Sequence, residues 1–131
     1  MEKDDTMIYV LKSKLHRATV TDANINYEGS ISIGTTLMQA ADFYEYEKVT
    51  VVNINNGERF ETYVMRAEDA HTICLNGAAA RLVCIGDPVI IMAYTIIDEN
   101  HMKDYKPFIV CLDSNNKIKK INCIPECDRI V

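Results

Sequence analysis

Apolar residues along this chain come in short runs separated by polar turns, and Ile and Val dominate them with Thr and Tyr well represented. Those are the residue types of a pleated, half-buried surface. Residues 7–11 (Met-Ile-Tyr-Val-Leu) predict a first strand and 48–54 a second. Asn55-Asn56-Gly57 follows, a strong hairpin signal because Asn and Gly tolerate positive φ. Residues 59–65 then return as the partner strand, and 71–75 predict another. The longest apolar run, 88–97, is too short to cross a bilayer as a helix, and its β-branched content favours a buried strand. Residues 108–112 and 117–121 flank a turn at 113–116. Helical signals are few: 35–43, opening on a Thr cap, and one turn at 76–82. The polar connection 96–107 reads as a mobile loop. The pattern predicts a mostly β protein with a few short helices, closed as a barrel or a sandwich.

Length and charge narrow the class. A chain of 131 residues suits one domain spanning residues 1–131, large enough to build a core without a staple. At 48% hydrophobic and 25% charged it reads as an ordinary soluble protein, not a disordered one. A net charge of −5 argues against nucleic acid or an anionic membrane as partner, since both want a basic face. The polar, acidic start at 1–6 reads as neither a signal nor a transit peptide, which predicts a cytoplasmic chain.

The five cysteines fit that compartment. Cys74, Cys84 and Cys111 sit in apolar runs, as buried free thiols do. Cys123 and Cys127 form the one close pair, and no second pair or histidine cluster accompanies it, so no metal site is expected.

Three stretches carry candidate chemistry. They are Lys14-Leu15-His16-Arg17, then Tyr27-Glu28-Gly29-Ser30, then Arg59, Thr62 and Tyr63 taken with Asn76-Gly77-Ala78-Ala79-Ala80. Each alone has a plain reading. A Gly-Ser pair is usually a turn, basic residues after a strand are usually a solvated face, and Asn-Gly-Ala-Ala-Ala usually leads into a helix. Arg59 and Tyr63 are four apart on a strand, so they share a face.

In combination and in this order, the stretches resemble the aspartate 1-decarboxylase family from about Met7 to Pro107. The resemblance implies a double-psi β-barrel assembled as a homotetramer. It also implies a pyruvoyl cofactor made from the chain itself, with no metal. Decarboxylating an amino acid leaves a carbanion at Cα, and no ordinary side chain provides the electron sink that this needs. By similarity, the Ser30 hydroxyl attacks the Gly29 carbonyl, and the resulting ester eliminates and hydrolyses to a pyruvoyl group. The products are a β-chain, residues 1–29, and an α-chain, residues 30–131. Glycine at 29 leaves attack unhindered and tolerates unusual backbone geometry.

The same resemblance implies roles at single positions. The amine of L-aspartate forms a Schiff base with the pyruvoyl ketone. Tyr63 matches the proton donor, and Arg59 holds a carboxylate through its planar fork. Lys14 adds positive charge, and Thr62 contacts substrate and assists self-processing. Gly77, Ala78 and Ala79 line the substrate site. His16, Tyr27 and Asn76 support it. Arg59 and Tyr63 are expected to project into one cavity, built between subunits. Some members of that family need a helper protein to mature, and the residues here leave that dependence open. Two other readings compete: a non-enzymatic β-barrel module that keeps Ser30 intact, and a serine hydrolase. The second lacks a nucleophile elbow, since no glycine stands two positions before Ser30.

Overall fold

The computed structural model describes residues 6–122. Nine strands form one mixed sheet: β1 (Met7–Thr19), β2 (Asp22–Asn24), β3 (Ser30–Gly34), β4 (Lys48–Asn53), β5 (Arg59–Ala67), β6 (Ile73–Asn76), β7 (Pro88–Asp98), β8 (Phe108–Leu112) and β9 (Ile118–Ile121). One α-helix, α1 (Thr35–Ala41), and two 3-10 helices, Gly77–Leu82 and Glu99–Asp104, complete it. The strand order is β2-β6-β3-β5-β4-β7-β1-β8-β9. The pairs β1–β8, β3–β5 and β2–β6 are parallel, and the others antiparallel. The fold is mostly β, as the runs of Ile and Val predict.

The core follows the alternation of the strands. Leu15, Ile31, Ile33, Val64, Leu75 and Ile91 are fully buried. Each contributes roughly 2 kcal/mol by leaving water. Helix α1 adds Leu37, Met38 and Ala41 to the same core. Its expected Thr cap is absent: Gly34 is the N-cap and no side chain bonds the first turn. A glycine is needed there for space, because a Cβ on Gly34 would lie 2.1 Å from the Ala70 carbonyl oxygen. The helix ends on Asp42 in the left-handed conformation, with the Phe43 N–H returning to the Met38 carbonyl at 2.9 Å.

Two elements escape the apolar pattern. Strand β1 runs on through Lys14–Arg17 instead of stopping at Leu11. Its ladder to β7 skips Lys12, and again between Leu15 and Ala18. Such bulges re-aim side chains, and at the second one Arg17 takes φ 64° while His16 is buried. At the first, Lys12 Nζ donates to the Glu47 carboxylate at 2.8 Å and to the Asp42 carbonyl at 2.5 Å. Strand β3 is the other. It is buried because β5 and β6 flank it on both edges.

The connection after β7 is built rather than open. Asp98 caps the 3-10 helix through the Asn100 N–H at 2.8 Å, and the Tyr105 hydroxyl donates to the Leu11 carbonyl at 2.5 Å. Burial pushes the Tyr105 phenol up from its ordinary value. The expected turn at 113–116 is present and ties distant strands together. Asn116, left-handed at φ 59° and buried, accepts from the Thr19 N–H at 2.6 Å and donates to the Thr19 and His71 carbonyls at 2.9 Å. No helix among the described residues is long and apolar enough to cross a membrane.

Candidate functional site

The site grows from the ladder between β3 and β6. Ser30 lies opposite Asn76, and Ser32 opposite Cys74. Ile31, Ile33, Ile73 and Leu75 point from the same two strands into the core. The polar four therefore share the other face. Ser30 is 5% exposed and Asn76 3%. The Ser30 hydroxyl donates to the Glu28 carbonyl at 3.2 Å and accepts from Asn76 Nδ2 at 3.0 Å. Asn76 Nδ2 also donates to Ser32 Oγ at 2.9 Å.

A cavity of about 370 Å³ opens over this face, lined by Tyr27, Glu28, Ser30, Ser32, Tyr63, Met65, Arg66 and Asn76. The Tyr63 ring packs at a tilt against Tyr46, with centroids 6.4 Å apart. Its hydroxyl has no hydrogen bond to any described residue, so it is available to a bound molecule. Tyr27 is largely exposed at the rim.

Gly77 supports the loop before Ser30. It adopts φ +70°, and a Cβ there would sit 2.7 Å from the Gly29 N and Cα and 2.8 Å from the Tyr27 carbonyl oxygen. The tight position is thus Gly77 rather than Gly29. Nothing lies within 4 Å of where a Gly29 Cβ would be, and its φ is outside the left-handed region, which corrects the sequence argument from unusual backbone at Gly29. Gly77→Ala is expected to cost about 1–3 kcal/mol of stability and to displace Gly29 from Ser30. Urea unfolding of the variant would measure the first effect; a stability equal to wild type would contradict this packing.

The structure brings together Ser30, Tyr27, Asn76 and Tyr63 of the residues singled out in the sequence. It does not bring the rest into this cavity within one chain. Within one chain Arg59 and Tyr63 share a face of β5 but do not line the same cavity: four residues along a strand span about 13 Å, and Arg59 is exposed at the far end. Lys14 is half-buried on β1 between Met92 and Ile109, and His16 is buried two positions on. Thr62 lies on the Val64 side of β5 and is half-buried. Ala78 is exposed, and Ala79 packs on the core. Sequence reasoning missed Ser32, Met65, Arg66 and Cys74. The alternation Ser-Ile-Ser-Ile at 30–33 is the signal that would have found Ser32.

The cysteines differ from expectation as well. Cys84 is exposed, Cys74 half-buried, and Cys111 is disulfide-bonded rather than free. Cys123 and Cys127 lie outside the described residues. Among the described residues, no group of His, Cys, Asp or Glu could hold a metal ion.

Comparison with known proteins gives this mostly β chain, with its buried serine behind a Tyr-Glu-Gly loop, a family. The aspartate decarboxylase family matches residues 6–119, and the chain belongs to that family. It is 62% identical over 117 residues to the aspartate 1-decarboxylase of Caldicellulosiruptor saccharolyticus, covering 88% of this chain and 91% of that one. It is 56% identical over 114 residues to the enzyme of that name from Clostridium novyi, covering 86% and 93%. To the one from Campylobacter jejuni it is 54% identical over 114 residues, covering 87% and 90%.

Proposed function

We propose that this chain is a self-processing aspartate 1-decarboxylase that converts L-aspartate to β-alanine and carbon dioxide, the β-alanine serving pantothenate synthesis. The observation that carries the reading is the buried Ser30 hydroxyl, held by Asn76 next to the Gly29 peptide at the floor of a cavity that Tyr63 lines.

Processing uses the chain's own atoms. Ser30 Oγ attacks the Gly29 carbonyl carbon, the C–N bond breaks, and Ser30 is left as an amine esterified to Gly29. Elimination releases the Gly29 carboxylate and leaves dehydroalanine at position 30. Water then replaces the nitrogen, which departs as ammonia, and a pyruvoyl group remains. The chain becomes residues 1–29 and residues 30–131. Gly29 leaves the carbonyl open to attack, and the Asn76 N–H and the Glu28 carbonyl fix the direction of Oγ and of its proton. Thr62, whose β5 segment pairs in parallel with β3, assists this step.

When present, the pyruvoyl carbonyl supplies the electron sink for loss of the α-carboxylate. The protein's side chains do the rest. Tyr63 returns a proton from its phenol. Arg59 grips a substrate carboxylate in two parallel hydrogen bonds, and Lys14 adds charge. Gly77, Ala78 and Ala79 offer a small-residue wall, and His16 and Tyr27 support the rim. Among the described residues the one cation lining the cavity is Arg66, while Lys14 and Arg59 lie elsewhere on the chain. This supports a homotetramer in which a neighbouring copy brings its Lys14 and Arg59 to the site. Exposed Tyr9, Tyr46 and Ile85 supply apolar surface for that contact. The parallel pairs β1–β8 and β3–β5 and the family membership support closure as a double-psi β-barrel.

Carbon dioxide release from aspartate and glutamate, assayed side by side on the mature protein, tests the substrate. Glutamate is one methylene longer, a difference worth about 10- to 200-fold in a fitted pocket. Aspartate should therefore lead in kcat/KM by at least about tenfold. Equal rates, or a lead for glutamate, would overturn the assignment.

A further inference from the structure

Behind Asn76 stands a group with no part in the chemistry above. Cys74 lies two residues earlier on β6, on the same face, and its thiol donates to Asn76 Oδ1 at 3.2 Å. We propose that Cys74 is a positioning residue for self-processing: its S–H fixes which end of the Asn76 amide faces Ser30. The inference rests on the self-processing reading.

An asparagine amide has two nearly isosteric orientations that differ in which end donates. In the one present, the NH2 group faces both serines, at 3.0 Å and 2.9 Å, and the carbonyl faces the thiol. Ser30 Oγ then accepts a hydrogen bond, and its own proton turns away to the Glu28 carbonyl. The Asn76 N–H thereby fixes the direction of Oγ, and the Glu28 carbonyl takes up its proton, which holds the nucleophile in one rotamer for attack. Rotated by half a turn, the amide would present its carbonyl to Ser30 and claim the hydroxyl proton. The NH2 would then oppose the thiol. Ser32 has a hydroxyl that serves either orientation, since it can donate or accept. The thiol discriminates, because sulfur is a weak acceptor and S–H is its useful end here.

The register makes this a built arrangement. Ser32 is the cross-strand partner of Cys74, and Ser30 of Asn76, so the four groups close a square on the β3–β6 ladder. Asp22 sits beside Cys74 on the outer strand β2. Burial, and then the Asp22 carboxylate, push the Cys74 thiol up from its ordinary value. It therefore stays protonated, and a donor, at neutral pH.

The test follows cleavage of freshly made wild-type, Cys74→Ala and Cys74→Ser chains by intact mass over time, with a thermal midpoint for each. One net hydrogen bond corresponds to about a fivefold change in rate. Cys74→Ala should cleave about fivefold more slowly. Cys74→Ser keeps a donor to Asn76 Oδ1 but can also accept, so it should recover part of the loss, cleaving faster than Cys74→Ala and more slowly than wild type. A residue with a merely structural role would move the midpoint without this rescue. Wild-type speed in Cys74→Ala, or equal slowing in both variants, overturns the proposal alone. A wild-type chain that stays uncut overturns the self-processing reading and the proposal with it.

Discussion

Ser30→Ala is expected to leave the protein as a single chain of about the 14.9 kDa that its sequence gives, with carbon dioxide release from aspartate below detection. Both losses have one cause. The acyl shift passes through a five-membered ring closed by the residue's own Oγ, Cβ, Cα and N and the preceding carbonyl carbon. No other hydroxyl can close that ring on the Gly29 carbonyl. Ser32 shares the Asn76 side chain with Ser30 but stands two residues further along β3. Its attack would need a larger and more strained ring. Without the shift no pyruvoyl group forms, and decarboxylation loses its electron sink. Fold stability should hardly change, because alanine fills most of the volume of serine. The substitution does leave the Asn76 N–H with Ser32 as its remaining partner. Cleavage of Ser30→Ala between residues 29 and 30 would contradict the assignment of the nucleophile.

Tyr63→Phe is expected to separate the two reactions. The ring packs on Tyr46, and phenylalanine retains that contact. The hydroxyl makes no hydrogen bond to any described residue, so its loss strands no partner. Folding and self-cleavage should proceed as in wild type. Turnover should then fall by about 10²- to 10⁴-fold in kcat, the usual worth of a positioned general acid. KM for aspartate should change far less, because a proton delivered in the transition state adds little to ground-state binding. Steady-state kinetics on fully cleaved Tyr63→Phe would check this. A kcat near wild type would remove Tyr63 from the proton transfer.

Much of the fold was legible because its signals are local. Asn55-Asn56-Gly57 between two β-branched runs does form the turn joining β4 and β5, with Gly57 at φ 76°. The run at 88–97 is the strand β7, paired on both edges by β1 and β4. Strand β3 was not legible, because five residues with serines on one face look like a loop. Its burial is decided by neighbours far along the chain. The reach of β1 was hidden for a similar reason. A bulge at His16-Arg17 leaves no trace in hydropathy, and it allows a polar stretch to continue a strand.

The site divides along the same line. Ser30, Asn76 and Tyr63 were singled out by the order of their motifs, and the β3–β6 and β3–β5 pairings explain why they line one cavity. Arg59 shows where reasoning from a strand's period stops. Sharing a face is a matter of parity, and sharing a cavity is a matter of distance. The chain's net charge of −5 likewise hides the basic Lys14 and Arg59 to which the proposed reaction assigns the substrate carboxylates. Cys74 and Ser32 became visible only once the register placed them opposite one another.

The central claim is that this protein makes its own carbonyl cofactor by cutting itself. The intact mass of the matured wild-type protein, taken under denaturing conditions, addresses it most directly. The predicted result is two chains, residues 1–29 and residues 30–131, the larger one lighter by one ammonia than a chain beginning with serine. A single uncut chain, or a larger fragment with an ordinary N-terminal serine, would contradict it.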